Sequence, residues 1–118
     1  MRRTTFLSAT IGLLLLGGCY YDKEELLYPG GCIPGDATAP GYWAGTIEPI
    51  ITTRCANCHL PGGIGPGDLR NYTTVKAIVD NGSFQQMVFV TRSMPQGGAL
   101  TACEIQKLQA WVDAGAPN

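Results

Sequence analysis

The run Cys55-Ala56-Asn57-Cys58-His59 constrains this chain more than any other feature of its sequence. On a turn of helix, two thiols with two residues between them stand on one side, and a histidine follows the second thiol directly. This is the C-x-x-C-H pattern, in which the thiols add to the two vinyl groups of haem and the histidine ligates its iron. The chain contains one histidine. The pattern therefore predicts one covalent haem c, attached through Cys55 and Cys58 and ligated by His59.

Two other chemistries also use a C-x-x-C pair. A thioredoxin-like redox pair belongs to a βαβ pattern, and no such pattern surrounds these residues. A structural zinc site needs a second pair of ligands, whereas Cys32 and Cys103 are isolated in the sequence. Haem attachment is the interpretation that the spacing favours.

Composition limits the remaining classes. The 118 residues suit one domain with a modest apolar core, and 16 glycines and eight prolines indicate a loop-rich fold. Only 14% of residues are charged and the formal net charge is -1, so the basic surface of a nucleic-acid-binding protein is missing.

The first residues have the pattern of an export signal. Two arginines precede an apolar run over residues 6–16, which is too short to cross a bilayer as a helix of about 20 residues. Leu16-Gly17-Gly18-Cys19 follows and resembles the lipobox of bacterial lipoproteins, whose cysteine carries the lipid. An ordinary signal peptide and a short membrane anchor remain alternatives.

The lipoprotein interpretation divides the chain into three parts. Residues 1–18 are a lipoprotein signal peptide, residues 19–45 a lipid-anchored tether and N-terminal wrap, and residues 46–118 the folded domain. The protein is then expected in a bacterial cell envelope, bound to a membrane through lipid on Cys19. It would face the periplasm or belong to the outer membrane, with surface exposure left open.

Four segments have helical patterns, which predicts an all-α fold. A capping box is expected at Thr101 and Glu104, and another at Ser83 and Gln86, although the segment beginning at Ser83 is also compatible with a strand. The four segments run from an N-cap at Thr46 to about Arg54, from Asn71 to Asp80, from Ser83 through Val90, and from Thr101 to Gly115.

Residues 46–116 resemble the class I cytochrome c fold, in particular its short lipoprotein variants. The likeness rests on the C-x-x-C-H run at the end of a helix, on Met94-Pro95 in a turn-rich loop, and on a closing helix with Trp111. It implies three to four short helices around one haem, with the first and last helices packed across each other. It also implies that Met94 is the sixth iron ligand, and a soft thioether there raises the reduction potential. Met87 is the rival, in a segment where methionine usually fills a core.

The same resemblance implies a carbonyl that accepts the Nδ1 proton of His59 and so orients the ring. Gly65-Pro66 resembles the family's glycine-proline pair, Pro61 is also available, and both are compatible with plain turns. Candidate hydrogen-bond donors to the haem propionates are Arg54, Arg70, Trp43 and Tyr72, although a surface role is favoured for each of them.

The remaining two cysteines form an even pair in an oxidising compartment. We expect a disulfide between Cys32 and Cys103 that fixes the N-terminal wrap to the start of the last helix, with two free buried thiols as the alternative. Closing a loop of some 70 residues stabilises a fold by about 4 kcal/mol on the loop-entropy model.

These features predict a one-electron carrier that exchanges electrons with redox proteins of the envelope, has no small-molecule substrate and is not an enzyme. One alternative is a haem enzyme or gas sensor in which Met94 is displaceable. Another is a haem-bearing accessory subunit of a larger complex.

Overall fold

The computed structural model describes residues 31–118. Within this range the protein is helical and contains no strand. The predicted signal peptide over residues 1–18 and the predicted lipidation of Cys19 fall on residues outside the described range. The helical elements are a π-helical turn at Trp43–Ile47, α1 at Glu48–Arg54, α2 at Tyr72–Asp80, α3 at Ser83–Gln85, a second π-helical turn at Gln86–Val90, and α4 at Ala102–Asp113.

The first helical element begins at Trp43, four residues before the predicted first residue Ile47, and no side chain caps its start. Thr46 lies inside the element, so the prediction that it is the N-cap is wrong. The Glu48 N–H donates to the Trp43 carbonyl, five residues back, and Pro49 then occupies the first turn of α1. Proline has no N–H, so no backbone donor is left unpaired at this position, where the hydrogen bonding changes from π-helical to α-helical. Burial of Trp43 and Ile47 explains the early start.

Helix α2 follows its sequence pattern closely. The Asn71 side chain accepts a hydrogen bond of 2.9 Å from the Thr73 N–H and caps the helix. Val75 and Val79 face the core and are 0% and 5% exposed. Gly82, in the left-handed conformation at φ 81°, turns the chain out of the helix.

The third segment is helical over its whole length, as α3 and then the second π-helical turn, so the strand alternative does not apply to it. Its predicted capping box is absent, because no side chain of Ser83 or Gln86 caps it. Instead the Ser83 N–H donates to Oδ1 of Asn81 at 2.9 Å. Asn81 of the preceding turn therefore satisfies an N–H group at the start of α3.

Helix α4 has the predicted capping box. Oγ1 of Thr101 accepts from the Glu104 N–H at 3.2 Å, and Oε2 of Glu104 accepts from the Thr101 N–H at 2.7 Å. After the helix, the Trp111 indole N–H donates to the Pro117 carbonyl at 2.7 Å. The C-terminal turn is thereby folded back onto its own helix.

The first and last elements pack against each other, as expected. The rings of Trp43 and Trp111 lie 5.4 Å apart, and Tyr72 meets Trp43 edge-on at 5.3 Å. Four side chains of these elements are at most 1% exposed and belong to one apolar cluster: Ile47, Ile51, Leu108 and Trp111.

The N-terminal wrap belongs to the folded unit. Cys32 and Cys103 form a disulfide with a Cα–Cα distance of 5.3 Å, which joins the wrap to the first turn of α4 as the sequence predicts. Ala37 and Tyr42 are buried in the same core as the helices. Between residues 31 and 118, no helix combines the length and the apolar character needed to cross a bilayer.

Candidate functional site

The C-x-x-C-H run forms a turn directly after α1. The Cys55 N–H still donates to the Ile51 carbonyl at 2.9 Å, and the His59 N–H donates to the Cys55 carbonyl at 3.1 Å. The second bond has the four-residue spacing of a helix, so the run continues the helix by one turn. This is the local geometry that places two thiols on one side and delivers the histidine next to them.

The two thiols differ in their surroundings. Cys58 is exposed, whereas Cys55 is half-buried against the core. Burial, with a smaller contribution from the negative charge of Glu104, raises the pKa of the Cys55 thiol to about 11. A thiol with such a pKa is neutral near pH 7, so Cys55 is not an activated thiolate of the kind that begins dithiol exchange.

The His59 ring is oriented by a backbone carbonyl. Its Nδ1 lies 2.7 Å from the Pro66 oxygen, and a carbonyl only accepts, so Nδ1 carries the proton. Nε2 is then the nitrogen with a free lone pair, which is the tautomer that a metal ligand needs. Of the two carbonyl sources left open by the sequence, Pro66 and not Pro61 makes this bond.

Gly65 makes that arrangement possible. A Cβ at this position would lie 2.6 Å from both Cε1 and Nδ1 of His59, far inside contact distance. The loop is closed around the ring by two backbone bonds, from the Gly65 N–H to the Cys58 carbonyl at 2.9 Å and from the Leu69 N–H to the His59 carbonyl at 3.0 Å. The imidazole therefore packs directly against the backbone of a glycine.

One cavity of about 660 Å³ brings the predicted site residues together. Cys55, Cys58, His59 and Met94 all line it. Its volume lies in the range of about 300–1,000 Å³ that is usual for sites of small molecules and cofactors. Among its lining residues Arg54 alone is charged. The apolar part of the wall consists of Ile64, Leu69, Ile78, Phe84, Met87 and Val88 with Pro66 and Pro95.

Both candidate methionines border this cavity. Met94 is half-buried and packs against the core, and its N–H donates to the Met87 carbonyl at 3.2 Å. Met87 is 47% exposed, so its side chain is not the core filler that the sequence indicates. The structure thus brings Met94 to the site without removing Met87 from it.

Of the side chains considered for the propionates, only Arg54 lines the cavity. Its Nε donates to Oε1 of Glu104 at 2.8 Å and so joins α1 to α4. Partial burial of Glu104 opposes its ionisation, but hydrogen bonds from Arg54 and Thr101 outweigh this and lower the pKa of Glu104. Trp43 packs in the aromatic core, where it cannot serve a cofactor in this cavity.

The other two candidates also have partners elsewhere. Arg70 forms two hydrogen bonds with Asp68, at 2.8 and 2.9 Å. The Tyr72 hydroxyl donates to the Ala116 carbonyl at 2.9 Å. Neither residue lines the cavity.

These residues fit a covalently attached haem. The cavity has the size of a cofactor site, two thiols and one imidazole with the required tautomer stand on its wall, and a soft thioether is available. A zinc site fits poorly, because Cys32 and Cys103 are joined to each other. Among residues 31–118, no three side chains of His, Cys, Asp or Glu are grouped to hold a metal ion.

The sequence missed the steric role of Gly65. Its position six residues after His59, directly before a proline, was the available signal.

Comparison of the chain with protein-family models, with curated proteins and with solved structures gives no match. The assignment of this site therefore rests on its own geometry.

Proposed function

We propose that this protein is a membrane-tethered mono-haem c-type cytochrome that carries single electrons between redox proteins of a bacterial envelope. The observation that carries the proposal is the shared cavity, whose wall contains Cys55, Cys58, His59 and Met94. These residues come from two segments some 35 positions apart in the sequence. Their convergence on one cavity is what a cofactor with two thioether links and two axial ligands requires.

In this proposal Cys55 and Cys58 would hold the haem covalently, and His59 and Met94 would ligate its iron. The haem, when bound, supplies one-electron chemistry at its iron. The Pro66 carbonyl keeps the proton on Nδ1 of His59, which fixes the ring and raises the basicity of Nε2. Gly65 has no Cβ, so the His59 ring can come close enough to bond that carbonyl.

Part of the cavity wall is apolar and buried. Leu69, Phe84 and Val88 are at most 8% exposed and form its inner wall. A wall of this kind lowers the local dielectric constant, which disfavours the more highly charged oxidised state and so favours a higher potential. The single cation of the lining, Arg54, already has a carboxylate partner in Glu104.

The anchor is part of the proposal. Lipid on Cys19 would confine the carrier to a membrane surface and raise its effective concentration near membrane-bound redox partners. Mass spectrometry of the mature protein should find lipid on residue 19, and the Cys19→Ala variant should carry none. A mature protein without lipid on Cys19 would argue against a lipid tether at this residue.

The test of the cofactor uses the full chain, expressed in a host that matures c-type cytochromes. We expect a coloured protein whose mass exceeds that of the polypeptide by one haem, and the haem should survive denaturation. The double variant Cys55→Ser/Cys58→Ser should lose the covalent haem. A parent protein that is colourless and has the mass of the bare polypeptide would rule the proposal out.

A further inference from the structure

Met94 lies on a segment that has no regular secondary structure and few hydrogen bonds to hold it. Residues 92–101, between the second π-helical turn and α4, contain no helix and no strand. The main-chain attachment of Met94 is the bond from its N–H to the Met87 carbonyl, at 3.2 Å. A thioether ligand on such a segment needs further attachments, because its sulfur must stay in place while the side chain has three rotatable bonds.

Thr91, three residues before Met94, makes hydrogen bonds that hold the N-terminal part of this segment. Its hydroxyl donates to the Gln86 carbonyl at 3.1 Å, and its N–H donates to the same oxygen at 2.9 Å. The same hydroxyl lies 2.9 Å from Oγ of Ser93. Since the Thr91 proton is used on the carbonyl, Ser93 is the donor in this pair. One hydroxyl thus links the end of the π-helical turn to the residue before Met94.

The residue between them is held in an uncommon conformation. Arg92 has φ 52°, in the left-handed region that is unfavourable for a residue with a side chain. Such a conformation persists where its neighbours fix it. Thr91 and Ser93, joined through their hydroxyls, are the neighbours that do so.

We propose that Thr91 is a positioning residue for the sixth ligand: its hydroxyl, through Ser93, holds the turn of residues 91–94 so that Met94 stays on the iron. The inference rests on the function proposed above. It adds that the hold of Met94 on the iron depends on an exposed threonine outside the cavity.

The test is competition for the iron by imidazole, measured on haem-loaded protein. Thr91→Val keeps the shape of the side chain but removes the hydroxyl, a change worth about 0.5–1.5 kcal/mol for one hydrogen bond. We expect the apparent affinity for imidazole to rise by roughly 2- to 12-fold, the equivalent of that energy. Ligation of haem iron by a methionine sulfur gives a weak far-red absorption band, the far-red sulfur-to-iron band. In Thr91→Val this band should be lost at correspondingly lower imidazole concentrations.

Three further variants separate positioning from general stability. Thr91→Ser retains a hydroxyl and should restore the parent affinity, whereas Ser93→Ala should raise it as Thr91→Val does. Thr38→Val removes another exposed hydroxyl, one that donates to Asp36, and should leave the imidazole affinity unchanged. Should Thr91→Val fail to fold, Ser93→Ala carries the test by itself.

Two results overturn the inference. Parent-like imidazole affinity in Thr91→Val and Ser93→Ala, in proteins that show the far-red band, refutes the positioning role and leaves the cytochrome assignment intact. A parent protein that binds haem but lacks the far-red band, or binds no haem, refutes the inference together with the ligand assignment beneath it.

Discussion

Substitution of Gly65 by alanine tests the arrangement of the site most directly. The new Cβ would lie 2.6 Å from His59 Cε1 and Nδ1, whereas ordinary contacts begin at 3.4 Å. The ring or the loop must therefore move by about 0.8 Å. Because Nδ1 lies 2.7 Å from the Pro66 carbonyl, a shift of the ring away from the loop stretches this bond beyond the usual range of hydrogen bonds, about 3.2 Å.

The energetic cost follows from overpacking, which destabilises a fold by about 1–3 kcal/mol. The control is Gly45→Ala, since a Cβ on Gly45 meets nothing within 4 Å. Both variants restrict the unfolded chain equally, so this stabilising contribution cancels between them. We expect urea unfolding to find Gly65→Ala less stable than Gly45→Ala by about 1–3 kcal/mol.

A second control distinguishes the imidazole from the loop. In Gly63→Ala the Cβ would lie 2.3 Å from the Cys58 carbonyl oxygen, so the loop is strained at its backbone. Both loop variants should be destabilised, but Gly65→Ala should also raise the reduction potential of haem-loaded protein. A weakened hydrogen bond at Nδ1 makes Nε2 of His59 less basic, so that it stabilises oxidised iron less. Equal stability of Gly65→Ala and Gly45→Ala would refute the steric argument.

The other expectations concern the second ligand, the disulfide and an ion pair. Met94→Ala should abolish the far-red sulfur-to-iron band, and Met87→Leu should retain it. A band that persists in Met94→Ala would show that Met94 is not the iron ligand. Cys103→Ser should cost about 4 kcal/mol of stability, and alkylation of the unreduced parent at Cys32 and Cys103 would contradict the bridge. Glu104→Gln can keep the capping box but loses the ion pair, at about 1 kcal/mol. Because the pKa of Glu104 is lowered by folding, the stability it adds is present above the ordinary value of 4.5 and is lost as the pH falls through the lowered pKa. Urea unfolding of Glu104→Gln should show a weaker pH dependence there, and an unchanged one would refute this contribution.

Local rules account for what the sequence predicts well. The capping box of Thr101 and Glu104 and the cap at Asn71 need only residues within one turn of each other, so spacing determines them. The turn formed by residues 55–59 is of the same kind. In each case the bonds join residues at most four positions apart.

Tertiary contacts account for two of the differences. The first element begins at Trp43 because that ring packs on Trp111, a contact between residues far apart in the sequence that no local pattern contains. The choice of Pro66 over Pro61 likewise depends on how closely the backbone at Gly65 approaches His59. Sequence spacing offered both prolines, and only the folded loop distinguishes them.

The two sides of the site differ in how firmly they are held. His59 is fixed by its own helix-like turn, by the Pro66 carbonyl and by backbone bonds that close a loop ending at Leu69. Met94 depends on one backbone bond to Met87 and on hydroxyl contacts that are exposed to water. Changes in residues 60–68 should therefore alter stability and ligation together. Changes in residues 91–98 should alter ligation of the proposed haem with little effect on unfolding. The methionine side is therefore where the properties of such a haem could be adjusted without destabilising the fold.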